Sequence, residues 1–287
     1  MQLDTPQDTD EENEPFDLGG LDGYLLKQQV IDAPEPLPLL QQLKLRGELA
    51  MAGGGQAQQA ALLSLKADIN ARLEPWLPQT SSDWPAQSLT MQWHGINVSL
   101  PYGGEPARWR LRTDGSGLQI DMRAGKVLHG HALYHLWLGH LSANAAGIAT
   151  ESVQSGEDGV ITLKALPAAQ ALAWLETLVL LYREAWAAPL HVARKSACDL
   201  WMQQQKTATG KLSEAAQRLK ALGAARLTFD GGHRRRGEHS TSPYLQRAFS
   251  RFDDMDLHLF EALADQLYGP MLQTSDLQTK QDAEDDT

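Results

Sequence analysis

Residues 107–141 read ARWRLRTDGSGLQIDMRAGKVLHGHALYHLWLGHL, and the prediction of the fold rests on them. Residues 108–112 alternate charged with apolar side chains, which is the period of a half-buried strand. The Gly- and Asp-rich residues 113–117 predict a hairpin connection, and residues 118–122 are the return strand. Apolar side chains then recur at helical spacing up to Leu141. The stretch therefore predicts a β-hairpin followed by an amphipathic helix.

This layout resembles the core of the PD-(D/E)xK nucleases, in which carboxylates on neighbouring strands hold a divalent cation. In that family one strand carries an Asp, and the next carries an acid two residues before a Lys that helps to activate water. Here Asp121 and Arg123 take the places of the acid and the Lys, while Arg108 and Arg110 lie where the first Asp is expected. Arginine keeps its proton and is a poor replacement for that lysine. We therefore expect an α/β fold with a degenerate nuclease-like core, a small mixed sheet flanked by helices, with no catalytic residue and no metal site.

The negative charge is concentrated at the two ends of the sequence. Residues 1–22 carry −8 and residues 273–287 carry −4, so that of the net −11 only +1 remains for residues 23–272. The ends therefore have the composition of solvated acidic tails. The net charge of the near-neutral body neither excludes nor indicates binding to a polyanion.

Composition places the chain among globular proteins, with 42% hydrophobic residues and eight Trp. The single Cys198 excludes an intramolecular disulfide and a zinc ribbon. No apolar run is long enough to span a membrane, and the acidic start does not fit a signal peptide. We expect a cytoplasmic protein.

The sequence is divided into four predicted segments. Residues 1–20 and 271–287 are expected to be acidic disordered tails, residues 21–87 an N-terminal helical region, and residues 88–270 the inactivated nuclease-like domain. The strands of the mixed sheet are predicted over residues 88–100, 107–112, 118–122 and 190–193. Further short strands are predicted at 160–163 and 227–229, and the Gly269–Pro270 pair is expected to end the last helix.

Six short pieces of sequence occur in a recognisable order. They are EPF at 14–16, LDGYLL at 21–26, LRGEL at 45–49, LWLGHL at 136–141, YRE at 182–184 with APL at 188–190, and RGE at 236–238 followed by Tyr244. Each piece is weak alone, but the ordered set resembles the C-terminal region of the gamma chain (RecC) of exodeoxyribonuclease V, the RecBCD helicase-nuclease. In that family this region is an inactivated nuclease-like fold with extra helices, in agreement with the altered acid positions.

The resemblance implies a non-catalytic DNA-binding and scaffold region that acts on double-stranded DNA ends in recombinational repair. Its partners would be the RecB-type beta chain, the RecD-type alpha chain, duplex ends and separated strands, with no membrane. It would need no cofactor of its own, because ATP and Mg²⁺ are used by the partner subunits. Full-length gamma chains also carry two helicase-like domains that read Chi. We therefore expect a fragment, a truncated gene or a detached module, and we assign Chi reading to no residue of this chain.

Two groups of arginines are candidates for DNA contact. One group alternates along a predicted strand, and the other forms the densest basic run, in a predicted loop. They are Arg108, Arg110, Arg112, Arg234, Arg235 and Arg236. Both patterns fit phosphate contacts, and both also fit a solvated surface.

Other polar motifs have simpler interpretations. The i,i+4 pair His131 and His135 has metal-ligand spacing, but the Glu of a His-Glu-x-x-His motif is missing, which favours a polar helix face. Asp114 could join Asp121 in a surviving metal pair, although it lies in the hairpin turn, where Asp is common.

The aromatic residues separate into two predicted groups. Tyr182 and Trp186 lie one turn apart on a predicted helix and are expected in the core. Trp76 and Trp84 lie in Pro-rich connections and are the better candidates for exposed aromatics at an interface.

Two alternative functions stay open at this point. One is an active metal-dependent exonuclease with a rearranged site, which Mg²⁺-dependent degradation of linear DNA, abolished by Asp121→Ala, would establish. The other is a partner-binding module without nucleic-acid contact. Salt-sensitive binding of forked DNA and co-purification with a beta-type chain would argue against the second alternative.

Overall fold

The computed structural model describes residues 20–50, 52–77, 80–105, 108–127, 130–208, 212–232 and 235–279. Runs of helices and runs of strands follow one another along this chain, and helices flank a mixed sheet, which gives the α/β class that the sequence predicts. The helices are α1 (Gly20–Asp32), α2 (Pro36–Leu45), α3 (Ala52–Leu73), α4 (Tyr134–Ala145), α5 (Ala168–Ala187), α6 (Arg194–Ala208), α7 (Glu214–Asp230), α8 (Glu238–Thr241), α9 (Pro243–Ala248) and α10 (Leu257–Thr274). The strands are β1 (Thr80–Asp83), β2 (Gln87–Trp93), β3 (Ile96–Tyr102), β4 (Trp109–Arg112), β5 (Gly117–Met122), β6 (Thr150–Ser155), β7 (Gly159–Leu163), β8 (Gly231–Gly232), β9 (Arg235–Arg236) and β10 (Ser275–Thr279).

A six-stranded mixed sheet forms the centre of the described residues, in the order β1-β4-β5-β6-β7-β10. β5 and β6 pair in parallel, with Asp121 opposite Gln154. A parallel pair needs a long crossover connection, and α4 lies in this connection and packs against both strands. The neighbouring pairs of the sheet are antiparallel.

The turn between β4 and β5 is built by its own side chains. Oδ1 of Asp114 accepts hydrogen bonds from the backbone N–H of Ser116 at 2.9 Å and from its hydroxyl at 2.7 Å. Gly115 adopts a φ of +83°, which glycine reaches without steric strain. The predicted hairpin is therefore confirmed, and the Asp114 side chain stabilises its turn.

Apolar side chains cover both faces of the sheet. On one face Leu73 of α3 packs against Leu118, Ile120, Val153 and Val160. On the other face α4 joins α5, α6, α7 and α10 in the largest cluster, in which Trp137 and Leu141 are buried. Burying one such side chain stabilises the fold by about 1.5–3 kcal/mol, so the two layers fix the position of β5 between them.

Two of the four predicted sheet segments lie elsewhere. β4 lies within the predicted segment 107–112, and β5 covers the predicted segment 118–122 and begins one residue earlier. Residues 88–100 instead form most of the separate β2–β3 hairpin. That hairpin closes through His94 and Gly95, both with positive φ, which is the geometry of a tight two-residue turn. Its apolar face rests against α4 and α5 rather than extending the sheet.

Residues 190–193 are not a strand but a short link into α6, in which the backbone N–H of Val192 donates to the carbonyl of Leu190 at 2.7 Å. The strand predicted at 160–163 is confirmed as part of β7. The strand predicted at 227–229 is wrong, because these residues belong to the last turns of α7, where Phe229 is buried in the largest core cluster.

The C-terminal segment differs from the predicted tail. α10 continues through Pro270 to Thr274, and residues 275–279 form β10, which pairs with β7. The expected end of the helix at Gly269–Pro270 is therefore wrong, and β10 is ordered because it completes the ladder on the free side of β7. The remainder of both predicted tails, residues 1–19 and 280–287, lies outside the described residues.

None of the described helices has both the length and the apolar character needed to cross a membrane.

Candidate functional site

Asp121 lies near the end of β5 and is only 8% exposed. Its Oδ2 accepts a hydrogen bond from Nε2 of Gln154 at 2.7 Å, across the parallel β5–β6 pair. The same oxygen lies 3.1 Å from Nε2 of His135, in the first turn of α4. The crossover topology therefore brings three polar residues together that are far apart in sequence.

This set places a carboxylate and an imidazole ring next to each other. Burial acts to raise the pKa of Asp121, but the hydrogen bond and charge of His135, the bond from Gln154 and the charge of Arg108 outweigh it and lower that pKa. The hydrogen bond to Asp121 raises the pKa of His135 against the opposing effect of burial. His135 Nδ1 also lies 3.0 Å from the carbonyl of Ala132, which fits a doubly protonated ring.

Among the described residues there is no cluster of three or more His, Cys, Asp or Glu side chains placed to hold a metal ion. The groups that contact Oδ2 of Asp121 act as hydrogen-bond donors, and Arg108 adds positive charge nearby. Such surroundings neutralise a carboxylate, whereas a divalent-cation site gathers further oxygen ligands around it.

The arginines of the nuclease-like motif are engaged in different ways. Arg112 forms an ion pair with Glu151 at 2.6 Å, and Arg108 pairs with Glu105 at 3.2 Å on the surface. The Arg123 guanidinium lies 5.8 Å from the centre of the Tyr24 ring, where a cation–π contact holds it. Arg110 is half-buried, and its Nε has no hydrogen-bond partner among the described residues.

The predicted basic loop contains a structural element. The backbone of Arg235 pairs with Gly232 in the short β8–β9 ladder, and Arg236 is exposed. Arg234 and the side chain of Arg235 lie outside the described residues. The loop therefore leaves Arg236 as the described candidate for DNA contact from this run.

The Arg-Gly-Glu piece that includes Arg236 is explained by its two other residues. A Cβ on Gly237 would lie 2.3 Å from the carbonyl oxygen of Phe229, so that the chain can pass only with glycine there. The buried Glu238 carboxylate accepts hydrogen bonds from the backbone N–H groups of Lys195 and Ser196, at 2.9–3.0 Å. It thereby caps the N-terminus of α6, where a negative charge is stabilised by the helix dipole.

A buried polar layer under α4 was missed by the sequence analysis. Ser152 donates its hydroxyl proton to Oε1 of Gln119 at 2.9 Å, so that Nδ1 of His140, 2.9 Å from the same hydroxyl, is the donor to it. Burial lowers the pKa of His140 to about 4, and the ring is therefore neutral at pH 7. Asn144 donates to the carbonyls of His140 and Thr150. The one available signal was the polar composition of β6, TESVQS, which departs from an ordinary buried strand.

Three of the four aromatic residues that were assigned to core or surface from the sequence lie in the opposite environment, and the fourth, Trp76, is intermediate. Tyr182 and Trp186 are 56% and 77% exposed, because the end of α5 extends beyond the layers that cover its first turns. Trp84, expected at the surface, is 1% exposed and packs edge-to-face against Trp109. Trp76 is half-buried, and its indole N–H donates to Glu151 at 3.2 Å.

Comparison with known proteins places the chain in one family. The family model described as "RecC C-terminal domain" matches residues 1–225, which is more than three quarters of the 287-residue sequence. A search of curated proteins found no significant match. The match contains β4, β5, α4 and β6, the elements that carry Asp121, His135 and Gln154. The chain therefore belongs to the RecC C-terminal domain family, and it is a region of the gamma subunit of a RecBCD-type exodeoxyribonuclease V complex.

Proposed function

We propose that this chain is a non-catalytic scaffold and DNA-binding region of a RecBCD-type helicase-nuclease that acts on double-stranded DNA ends in recombinational repair. Its sheet and helices form a nuclease-like core in which the metal-binding acids have been replaced. The observation that carries this proposal is the environment of Asp121. The carboxylate sits at the end of a central strand and is bonded to His135 and Gln154, with Arg108 adding positive charge.

The second part of the altered motif supports the same reading. In an active nuclease, the lysine at this position places its ammonium group beside the attacking water. Arg123 instead has its guanidinium over the Tyr24 ring of α1. Its planar, permanently charged group packs on this ring and keeps its proton. The motif has become a contact between the N-terminal helices and the sheet.

The proposed mechanism is steric and electrostatic. Arg108, Arg110 and Arg236 supply positive charge that contacts the DNA backbone, while the two-sided core holds these side chains on a rigid body. Partner subunits of the RecB and RecD types supply the motors and use ATP and Mg²⁺. Such a region guides strands and joins subunits in the cytoplasm without breaking a bond itself.

Co-expression with beta-type and alpha-type chains tests the proposal. We expect the chain to co-purify with the beta-type chain and the assembled complex to bind forked DNA with an affinity that falls steeply with salt. Neutralising Arg108, Arg110 and Arg236 together should lower that affinity and flatten the salt dependence, by about 0.9 in logarithmic slope per lost contact with duplex DNA. Neutralising Arg218, which pairs with Glu261, is the matched control.

The result also separates the alternatives. A complex that forms normally but binds forked DNA equally well with and without the three arginines would contradict their assigned role. A chain that joins no beta-type partner and binds no DNA would contradict the whole proposal. Loss of DNA degradation on changing Asp121 alone would support an active nuclease instead.

A further inference from the structure

The end of α5 projects from the fold without cover from the rest of the described chain. Residues 182–189 are all exposed, although they include Tyr182, Trp186 and four consecutive apolar residues at 186–189. The Tyr182 and Trp186 rings meet edge-to-face, with centroids 6.0 Å apart. Large aromatic side chains left in water on adjacent turns of a helix indicate a surface that is covered by something else.

Two adjoining clefts lie beside this helix end. The first has a volume of about 530 Å³ and lies between the end of α5 and α9, lined by Trp186, Pro189, Tyr244 and Arg247 among others. The second has a volume of about 750 Å³ and shares Tyr244 and Leu245 with the first. We call the two together the Trp186–Tyr244 cleft. Each of the two volumes falls in the range of ligand sites, and Tyr244 is 80% exposed.

The lining of the Trp186–Tyr244 cleft is positive. Arg194, Lys195 and Arg247 line it, and none of the three forms an ion pair with a described residue. Among the described residues that line it, Glu238 is the one acid, and its buried carboxylate is bonded to the N-terminus of α6. Glu184 lies nearby on α5 beside Arg183, but it lines neither part of the cleft. An incoming anion therefore meets three cations and no available carboxylate in the lining.

Exposed aromatic rings combined with unpaired cations match the needs of single-stranded nucleic acid. Unpaired bases stack on aromatic side chains, and the backbone phosphates follow the positive charge. Duplex DNA hides its base faces and cannot use the rings. An apolar helix of a protein partner would use the rings but would leave Arg194, Lys195 and Arg247 without compensation.

We infer that the Trp186–Tyr244 cleft binds single-stranded DNA, with bases stacked on Trp186 and Tyr244 and phosphates held by Arg247, Arg194 and Lys195. The inference rests on the proposed function, because separated strands are the ligand that a DNA-end-processing complex produces. It adds a surface that lies outside the altered nuclease motif and outside the arginines of β4. Tyr182, one turn before Trp186, extends the aromatic surface along α5.

The test measures the fluorescence anisotropy of a labelled oligo(dT) of about 16 nucleotides with the full chain. We expect Trp186→Ala and Tyr244→Ala each to weaken binding by about tenfold, and Trp186→Phe and Tyr244→Phe to restore most of it, because phenylalanine still stacks. Arg247→Ala should weaken binding and reduce the logarithmic salt slope by about 0.7. Leu45→Ala, which removes an exposed apolar side chain of α2, should bind like the wild type.

Several outcomes would overturn the inference. They are no binding of oligo(dT) by the wild-type chain, unchanged binding by the two alanine variants, or equally strong effects on a duplex of the same length. If Trp186→Ala and Tyr244→Ala abolish co-purification with a beta-type chain but leave oligo(dT) binding unchanged, a protein partner and not single-stranded DNA covers the cleft. The proposed function is tested separately, by assembly of the wild-type complex and its binding of forked DNA. Failure of the cleft to bind oligo(dT) can therefore be distinguished from failure of the proposed function.

Discussion

At the scale of single residues, the contact between Asp121 and His135 has a defined dependence on pH. The lowered pKa of Asp121 contributes stability above the ordinary value near 3.8, and this contribution is lost as the pH falls through the folded-state pKa. The raised pKa of His135 contributes stability that is complete below 6.5 and is lost as the pH rises through its folded-state value. The pair therefore stabilises the fold most between these two values.

Asp121→Asn should remove this pH dependence, because a neutral amide does not attract a protonated His135 as the Asp121 carboxylate does. Since His135 is close to half exposed, we expect the wild type to exceed the variant by about 1 kcal/mol in free energy of unfolding near pH 5.5, and by less near pH 8.5. Urea unfolding at both pH values measures the difference. A gap that grows with pH would contradict the assigned charge pair.

Glu238 should be costly to change although it lies in a basic run. Replacing it by alanine removes the cap of α6 and leaves the buried N–H groups of Lys195 and Ser196 without acceptors. We expect a loss of about 1–3 kcal/mol in unfolding free energy, measured by chemical denaturation. Glu184→Ala, at an exposed position of α5, is the control and should change stability by less than about 0.5 kcal/mol.

At the scale of secondary structure, two helical glycines of the chain should respond to alanine in opposite directions. A Cβ on Gly139 of α4 would lie 2.6 Å from Nε2 of Gln119 and 3.1 Å from the Trp109 ring, whereas a Cβ on Gly223 of α7 would meet nothing within 4 Å. Gly139→Ala should therefore destabilise the fold by about 1–3 kcal/mol through overpacking. Gly223→Ala should stabilise it by about 0.5–1 kcal/mol, because alanine favours the helix.

Thermal unfolding of the two variants beside the wild type measures both effects. If Gly139→Ala were as stable as Gly223→Ala, α4 would not pack closely over Gln119 and the polar layer.

The elements that the sequence predicted correctly are those with a strong local pattern. β4, its turn, β5 and α4 follow from the alternation, the Asp114–Gly115 turn and the helical spacing, all within about 35 residues. β10 and the detached β2–β3 hairpin depend on partners that are distant in sequence, which local periodicity does not report. Phe229 was assigned to a strand because its local residues favour strands, and helix packing prevailed.

The site was predicted in part for the same reason. Asp121 and Arg123 could be found from their positions relative to the hairpin. The bond from Gln154 to Asp121 depends on the β5–β6 register, and no motif surrounds Gln154. Tyr182 and Trp186 have the spacing of a buried face, but their exposure depends on how far α5 extends past its neighbours.

At the scale of the whole molecule, the faces of the chain have distinct properties. Where α1, β5 and α4 meet, Asp121 contacts His135 and the Arg123 guanidinium lies over the Tyr24 ring. The Trp186–Tyr244 cleft lies between the end of α5 and α9, and Arg194, Lys195 and Arg247 of its lining form no ion pair with a described residue. The proposed binding groups, the aromatic rings and cations of the cleft, therefore lie at the surface, and the sheet lies in the packed centre.

The central claim is that the nuclease-like core supports the complex without cutting DNA, and degradation of linear duplex DNA measures it most directly. The assay uses Mg²⁺ and ATP with the assembled complex, and Mg²⁺ with the chain alone. We predict no degradation by the chain alone, and equal rates for complexes that carry wild-type, Asp121→Asn or Asp114→Asn chains. Degradation by the chain alone, or a rate that falls with Asp121→Asn but not with Asp114→Asn, would contradict the account.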